Sequence, residues 1–156
     1  YIEAGGVAGT VSELGLFITE LTTPDNRYIS MPNASVFGGN IINYSRHARR
    51  RLDVPVGVAY GADLTQARRV LLDLACADPR VHQDPPPQVL VTALADSSVN
   101  LTLRVWTSGA EIWMLNFDLN EAVKNALDAA GIEIPFPQRV VELRGGGVAP
   151  PDPSTL

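Results

Sequence analysis

The sequence predicts an α+β protein in two units: a small β domain over residues 1–53 and a ferredoxin-like βαββαβ unit over 54–144, with a Gly/Pro-rich tail at 145–156. Two observations predict it. Short β-rich runs broken by Gly, Pro, Asn and Asp fill the first third of the chain, whereas helical periodicity appears only after residue 60. The charge divides at the same place: five acids and five bases lie up to Asp53, while the remainder carries 12 acids and 7 bases, so the whole net charge of −5 sits in the second unit.

In the first unit, residues 7–14, 16–22, 27–31 and 40–46 read as strands. Residues 1–4 read as a strand entered in mid-stride, and with Tyr1 in place of Met they suggest a piece of a longer protein. The punctuation is Gly5-Gly6, Thr23-Pro24-Asp25-Asn26, Pro32-Asn33 and Gly38-Gly39. Pro presets φ, Asn and Asp tolerate left-handed backbone and Gly supplies φ > 0, so these clusters are turns. No helix is expected here, and closely spaced short strands predict a small barrel or sandwich.

The second unit opens with a Val-rich strand at 51–60. Asp63 is placed to N-cap a helix, with Gln66 three residues on in a capping-box arrangement, and Asp78-Pro79 ends it. Leu64, Ala67, Val70, Leu71, Leu74 and Ala75 form its apolar face, beside which Cys76 reads as a buried small hydrophobe. Strands follow at 89–94 and 99–106, joined by a turn at Asp96-Ser97-Ser98. A longer helix at 111–130 carries Ile112, Leu115, Leu119, Ala122, Val123, Ala126 and Leu127 on one stripe, with Gly131 as its C′ residue. A last strand at 139–143 completes the split βαβ order. Gly145–Gly147 followed by Pro150, Pro151 and Pro153 reads as an extended tail.

Catalytic and cofactor motifs are sparse. At 156 residues and 46% hydrophobic composition the chain needs no metal or disulfide staple, and its single Cys has no internal partner. No run approaches the ~20 apolar residues of a membrane helix. His47 and His82 lack any metal-ligand spacing, no G-x-S-x-G elbow occurs, and Gly5–Gly9 has neither dinucleotide nor phosphate-loop spacing, so no cofactor is expected. Trp106 and Trp113 read as core anchors, and Asn33, Asn40 and Asn43 as backbone caps. The one concentrated charge feature is Arg46-His47-Ala48-Arg49-Arg50-Arg51. On a small barrel it fits single-stranded nucleic acid; against that stand the acidic pI near 4.9 and the lone neighbouring aromatic Tyr44, which favour a connector whose arginines pair with the second unit or a neighbouring subunit.

Read together, several stretches resemble the cytoplasmic region of the small-conductance mechanosensitive channel family. They are Gly5-Gly6-Val7-Ala8-Gly9-Thr10-Val11, Thr23-Pro24-Asp25-Asn26, Pro32-Asn33, Gly39-Asn40-Ile41-Ile42-Asn43-Tyr44-Ser45-Arg46, Gly57-Val58-Ala59-Tyr60, Arg104-Val105-Trp106, and Ala129-Ala130-Gly131-Ile132 with Ile134-Pro135-Phe136-Pro137-Gln138. The resemblance runs in order from residue 5 to about 144. It implies that the β unit is Sm-like, that the missing N-terminal part is a bundle of membrane helices, and that this chain lies on the cytoplasmic side of a bacterial inner membrane. It further implies a homo-heptameric vestibule passing ions and small solutes to a tension-gated pore during hypo-osmotic shock, with no enzymatic activity and no nucleic-acid partner.

Residue by residue, the resemblance implies little more. Asn33 matches the Asn of a Pro-Asn-Gly turn that contacts the pore helix in gating, with Ala34 standing where the family has Gly. Asp53, with Arg50 and Arg51, matches charged positions at the junction of the two domains, and Arg46 joins them as a candidate for inter-domain or inter-subunit contact. The partner acid that the family can carry in the later strand falls here on Ala93, so that pair is not transferred. The proline-rich tail departs from the closing strand of the best-known members, because proline cannot donate to a ladder.

Overall fold

A computed structural model describes residues 1–139. Residues 140–143 of the predicted last strand at 139–143, and the tail, lie outside the described residues. Five strands make the first sheet: β1 (Ile2–Ala4), β2 (Val7–Leu14), β3 (Ile18–Thr22), β4 (Tyr28–Pro32) and β5 (Ile41–Asn43), with one short helix, α1 (Asn33–Phe37). The sheet is antiparallel throughout, in the order β4-β3-β2-β1-β5. Gly5 and Gly6, with φ of 57° and 80°, close the β1–β2 hairpin as left-handed pairs do, and Asn26 at φ 64° turns the chain between β3 and β4. Ile2, Ala4, Leu21, Met31 and Val36 form a small core inside.

α1 corrects the expectation of a helix-free first unit. Pro32 ends β4 at φ −56°, the Asn33 N–H turns back to the Phe17 carbonyl, and Val36 is buried in the small core. One turn of helix is too short to announce itself by periodicity; tertiary anchoring holds it.

The second unit comprises β6 (Arg49–Val58), α2 (Leu64–Ala77), β7 (Gln88–Leu94), β8 (Val99–Ser108) and α3 (Ile112–Ala129), with sheet order β6-β8-β7. Since β6 and β7 are each antiparallel to β8, they run parallel to one another with α2 as their crossover, as the split βαβ pattern requires. Val54, Val56, Val58, Leu101, Leu103 and Val105 point to one face, against Ala67, Leu71 and Ala75 of α2 and Leu115, Leu119, Val123 and Leu127 of α3. The i, i+4 spacing of those helical residues sets the buried stripes.

Local chemistry fixes the helix ends. Asp63 Oδ1 accepts from the Thr65 and Gln66 N–H groups at 2.8 and 3.1 Å. The reciprocal half of the expected capping box is absent, because Gln66 Nε2 donates instead to the Ala130 carbonyl at 3.2 Å and ties α2 to the end of α3. At that end Gly131 takes φ 69° and the Ile132 N–H reaches the Leu127 carbonyl, which carries Ile132 into the core. Cys76 is exposed, contrary to the buried position expected. One residue beyond Ala75 is a rotation of ~100°, which takes its thiol off the Ala67–Leu71–Ala75 stripe.

Candidate functional site

Asn33 is anchored more heavily than a turn residue needs to be. Its Nδ2 donates to the carbonyls of Gly15 and Leu16, both at 3.0 Å, its backbone N–H donates to the Phe17 carbonyl at 2.8 Å, and its Oδ1 accepts from the buried Thr19 hydroxyl at 2.8 Å. The side chain therefore caps backbone, as its residue type predicts, but it caps the β2–β3 turn, far away in sequence. Ala34, beside it, is exposed. Asn43 caps more locally, accepting from the Ser45 N–H at 3.0 Å.

The arginine run spreads over separate partners. Arg49 Nη1 donates to the Asp84 carbonyl at 2.8 Å, the Arg50 guanidinium lies 4.9 Å above the Tyr44 ring, and Arg51 Nε is 3.2 Å from Asp53 Oδ1, while Arg46 is exposed. Alternation along β6 produces this: neighbouring strand residues point to opposite faces, so consecutive arginines cannot form one patch. Asp53 also takes a two-pronged contact from its cross-strand neighbour Arg104, Nε to Oδ1 at 2.9 Å and Nη2 to Oδ2 at 3.1 Å. The Arg104 hydrogen bonds hold the Asp53 carboxyl below its ordinary range, with the nearby charges of Arg104 and Arg51 acting in the same sense. Asp53 and Arg51 thus meet each other, and Asp53 has a second partner in Arg104, which sequence spacing did not indicate.

Arg50 reaches between the units. With Tyr1, Thr10, Pro24, Tyr44 and Ser45 on one side and Gly109, Trp113 and Phe117 on the other, it lines a cavity of about 500 Å³. Tyr44 Oη donates to Glu3 Oε2 at 2.9 Å, and that bond raises the phenol's pKa. Trp113 is 64% exposed and is no core anchor; the inward positions of α3's first turns belong to Ile112 and Leu115, and the i+1 position turns away. Trp106 is half-buried on β8. Among the described residues no three His, Cys, Asp or Glu side chains come together as metal ligands, and no helix is long and apolar enough to cross a membrane.

Comparison with known proteins covers both units. A family described as "Mechanosensitive ion channel, beta-domain" matches residues 1–46, and one described as "Mechanosensitive ion channel MscS, C-terminal" matches residues 52–134. The chain is 47% identical over 142 residues to a small-conductance mechanosensitive channel of Edwardsiella ictaluri, covering 91% of this chain and 50% of that protein. It is 38% identical over 136 residues to the channel of the same name from Helicobacter pylori, covering 86% of this chain and 50% of that one. The crystal structure of Helicobacter pylori MscS in a closed state superimposes with a TM-score of 0.86 at 35% identity, over 92% of this chain and 57% of that one. Arabidopsis thaliana MSL1 shares the fold, with a TM-score of 0.70 at 20% identity. The chain spans about half the length of the curated relatives it matches.

Proposed function

Because the chain belongs to the MscS mechanosensitive ion channel family, we propose that it is the cytoplasmic vestibule region of a channel that opens under membrane tension and releases ions and small solutes in hypo-osmotic shock. The observation that carries this reading is the pair of family matches, β domain then C-terminal domain, on a chain that superimposes on a solved MscS chain with a TM-score of 0.86. In this reading residues 1–53 and 54–144 are the two domains of each subunit, seven subunits assemble under a pore on the cytoplasmic side of the membrane, and the part performs no catalysis. Isolated from its membrane helices, the chain assembles more weakly than the intact channel.

The geometry supports roles for the residues singled out above. Arg50 and its cavity lie between the units and suit inter-domain contact. Arg51 and Asp53, joined to Arg104, stiffen the start of β6 where the chain passes from one unit to the other, and exposed Arg46 is open to a neighbouring subunit. A gating contact from the Pro32-Asn33-Ala34 turn to the pore helix would run through Ala34, since Asn33's amide is engaged inside the β unit. The nucleic-acid reading is weakened by the same facts, because Arg49, Arg50 and Arg51 each have an internal partner.

The test is tension-activated current from the longer protein that carries this chain, in patches from cells lacking their own mechanosensitive channels, together with survival of osmotic downshock. Current that rises with suction is expected. Silent patches from correctly inserted protein would overturn the reading. Salt-dependent binding of single-stranded oligonucleotides by the chain would restore the alternative.

A further inference from the structure

Arg50 is a half-buried arginine whose donors are unspent. Arg80 and Arg104, also half-buried, each hold a carboxylate on two prongs, at Asp78 and Asp53 respectively. Among the described residues Arg50 has neither an oxygen acceptor nor an ion-pair partner; its guanidinium lies against the face of the Tyr44 ring, 4.9 Å from the centroid. A guanidinium stacked on a ring keeps its N–H fork in its own plane, free for a planar acceptor that takes two parallel bonds.

The same side chain lines a cleft between the units. Adjoining cavities of about 500, 260 and 200 Å³ all have Arg50 and Trp113 in their walls, and the two larger also share Tyr1 and Tyr44. Tyr1 and Tyr44 belong to the β unit, with ring centroids 5.8 Å apart, whereas Trp113, 64% exposed, comes from the first turn of α3. A cation set in an aromatic wall suits a ligand with one negative charge on an apolar body. The acids nearby oppose a second charge. Glu3 lines the 260 Å³ cavity, where it accepts from Tyr44 Oη at 2.9 Å, and Asp53 lines the 200 Å³ cavity, where Arg51 and Arg104 hold it. An organic cation is excluded for the opposite reason, since Arg50 already covers the Tyr44 face.

We propose that this cleft binds a small organic monocarboxylate: the carboxylate accepts two N–H bonds from Arg50, and an aromatic or branched apolar body packs between Tyr1 and Trp113. Bound there, the anion touches both units and links the β unit to α3. A monocarboxylate fits better than a phosphate monoester, which carries nearly two charges, because one unpaired cation faces it and a carboxylate lies in each adjoining cavity. The site goes beyond the channel reading and requires no membrane.

The experiment is titration of the 156-residue chain, by calorimetry and ligand-observed NMR, with probes that share a ring and differ in charge: phenylacetate, phenylacetamide and phenethylammonium. Phenylacetate should bind at least about tenfold more tightly than phenylacetamide, the difference expected for a charge-assisted contact in a partly open site. Phenethylammonium should bind most weakly. Arg50→Gln should bring phenylacetate down to the level of the amide and leave the amide unchanged, whereas Trp113→Ala should weaken both. Should Arg50→Gln loosen the two units, nuclear Overhauser contacts between the phenylacetate ring and the Trp113 indole in the unaltered chain decide the matter, and their absence would overturn the proposal. So would equal binding of the probes, or phenylacetate binding that Arg50→Gln leaves intact. The longer protein that carries this chain should bind phenylacetate in its assembled form as well; binding by the chain alone would assign the cleft to contact between copies and overturn the site. None of these readouts involves tension or current, so failure of the site and failure of the channel reading are distinguishable.

Discussion

Arg80→Ala should destabilise the second unit more than any other single change at its surface. Just past α2, Arg80 Nε and Nη2 engage both oxygens of Asp78 at 3.0 and 2.7 Å, while Nη1 reaches Asp118 of α3 at 2.7 Å. Asp78 and Arg80 side chains are 18% and 27% exposed, so their two bonds are partly shielded; Asp118, at 52%, contributes at the level of a surface pair. Charge-assisted bonds contribute roughly 1.5–3 kcal/mol each when shielded and exposed pairs under ~1 kcal/mol, and Arg80's ordering entropy offsets part of that, which leaves about 2–3 kcal/mol at neutral pH. For a unit of this size that corresponds to a Tm lower by roughly 10–20 °C.

The pH dependence makes the test specific. The Arg80 hydrogen bonds hold the Asp78 carboxyl below its ordinary value. A carboxyl depressed on folding contributes stability that is fully present above its unfolded pKa and lost as pH falls through the folded one. Wild type should therefore lose this contribution below about pH 4, whereas the variant has little to lose, and the two should converge in acid. Both tryptophans lie in the second unit, so their fluorescence during thermal unfolding reports on that unit. A Tm difference under about 3 °C at neutral pH, or a larger difference that persists unchanged in acid, would refute the reasoning.

Three further outcomes follow from the same structure. Asp63→Ala leaves the Thr65 and Gln66 N–H groups without their acceptor and should lower the stability of the second unit by about 1 kcal/mol, read from urea unfolding. Leu71→Ala opens a cavity at a fully buried position between α2 and the sheet and should cost about 2–5 kcal/mol in the same assay. Gly131→Ala forces a side chain onto backbone at φ 69° and should cost roughly 1–2 kcal/mol, with the space around it open, so that strain and not collision sets the value.

Much of the fold was legible because its signals are local or periodic. β2 has the bounds that alternation and Gly punctuation gave it, and Asp63 caps α2 where an acid before an apolar stripe should. What escaped depends on direction or on distant partners. Cys76 and Trp113 sit beside apolar neighbours in sequence yet point outward, because hydrophobic company along a chain does not fix azimuth around a helix. Gln66 has a capping-box residue type but found a better acceptor in Ala130, which only the packing of α2 on α3 brings near. The Asp53–Arg104 contact likewise exists through cross-strand register, and register is not written in either strand alone.

Asn33 shows how far a site's meaning can shift between sequence and structure. As a residue of a Pro-Asn turn it invites a reading in which its amide faces outward to another helix; in the fold three of the four hydrogen bonds its side chain can make, both N–H donors among them, are spent on residues 15, 16 and 19. With both N–H donors engaged, a new contact that draws on them would have to break bonds of equal worth first. The neighbouring exposed positions face no such competition: Ala34 on one side, and Leu16 and Phe17 on the loop that Asn33 holds. Substituting Asn33 should therefore act through the shape of the loop, and an Asp at this position should be worse than an Ala, because it keeps the acceptor for Thr19 but turns a second carboxylate oxygen toward the Gly15 and Leu16 carbonyls in place of the donor they need.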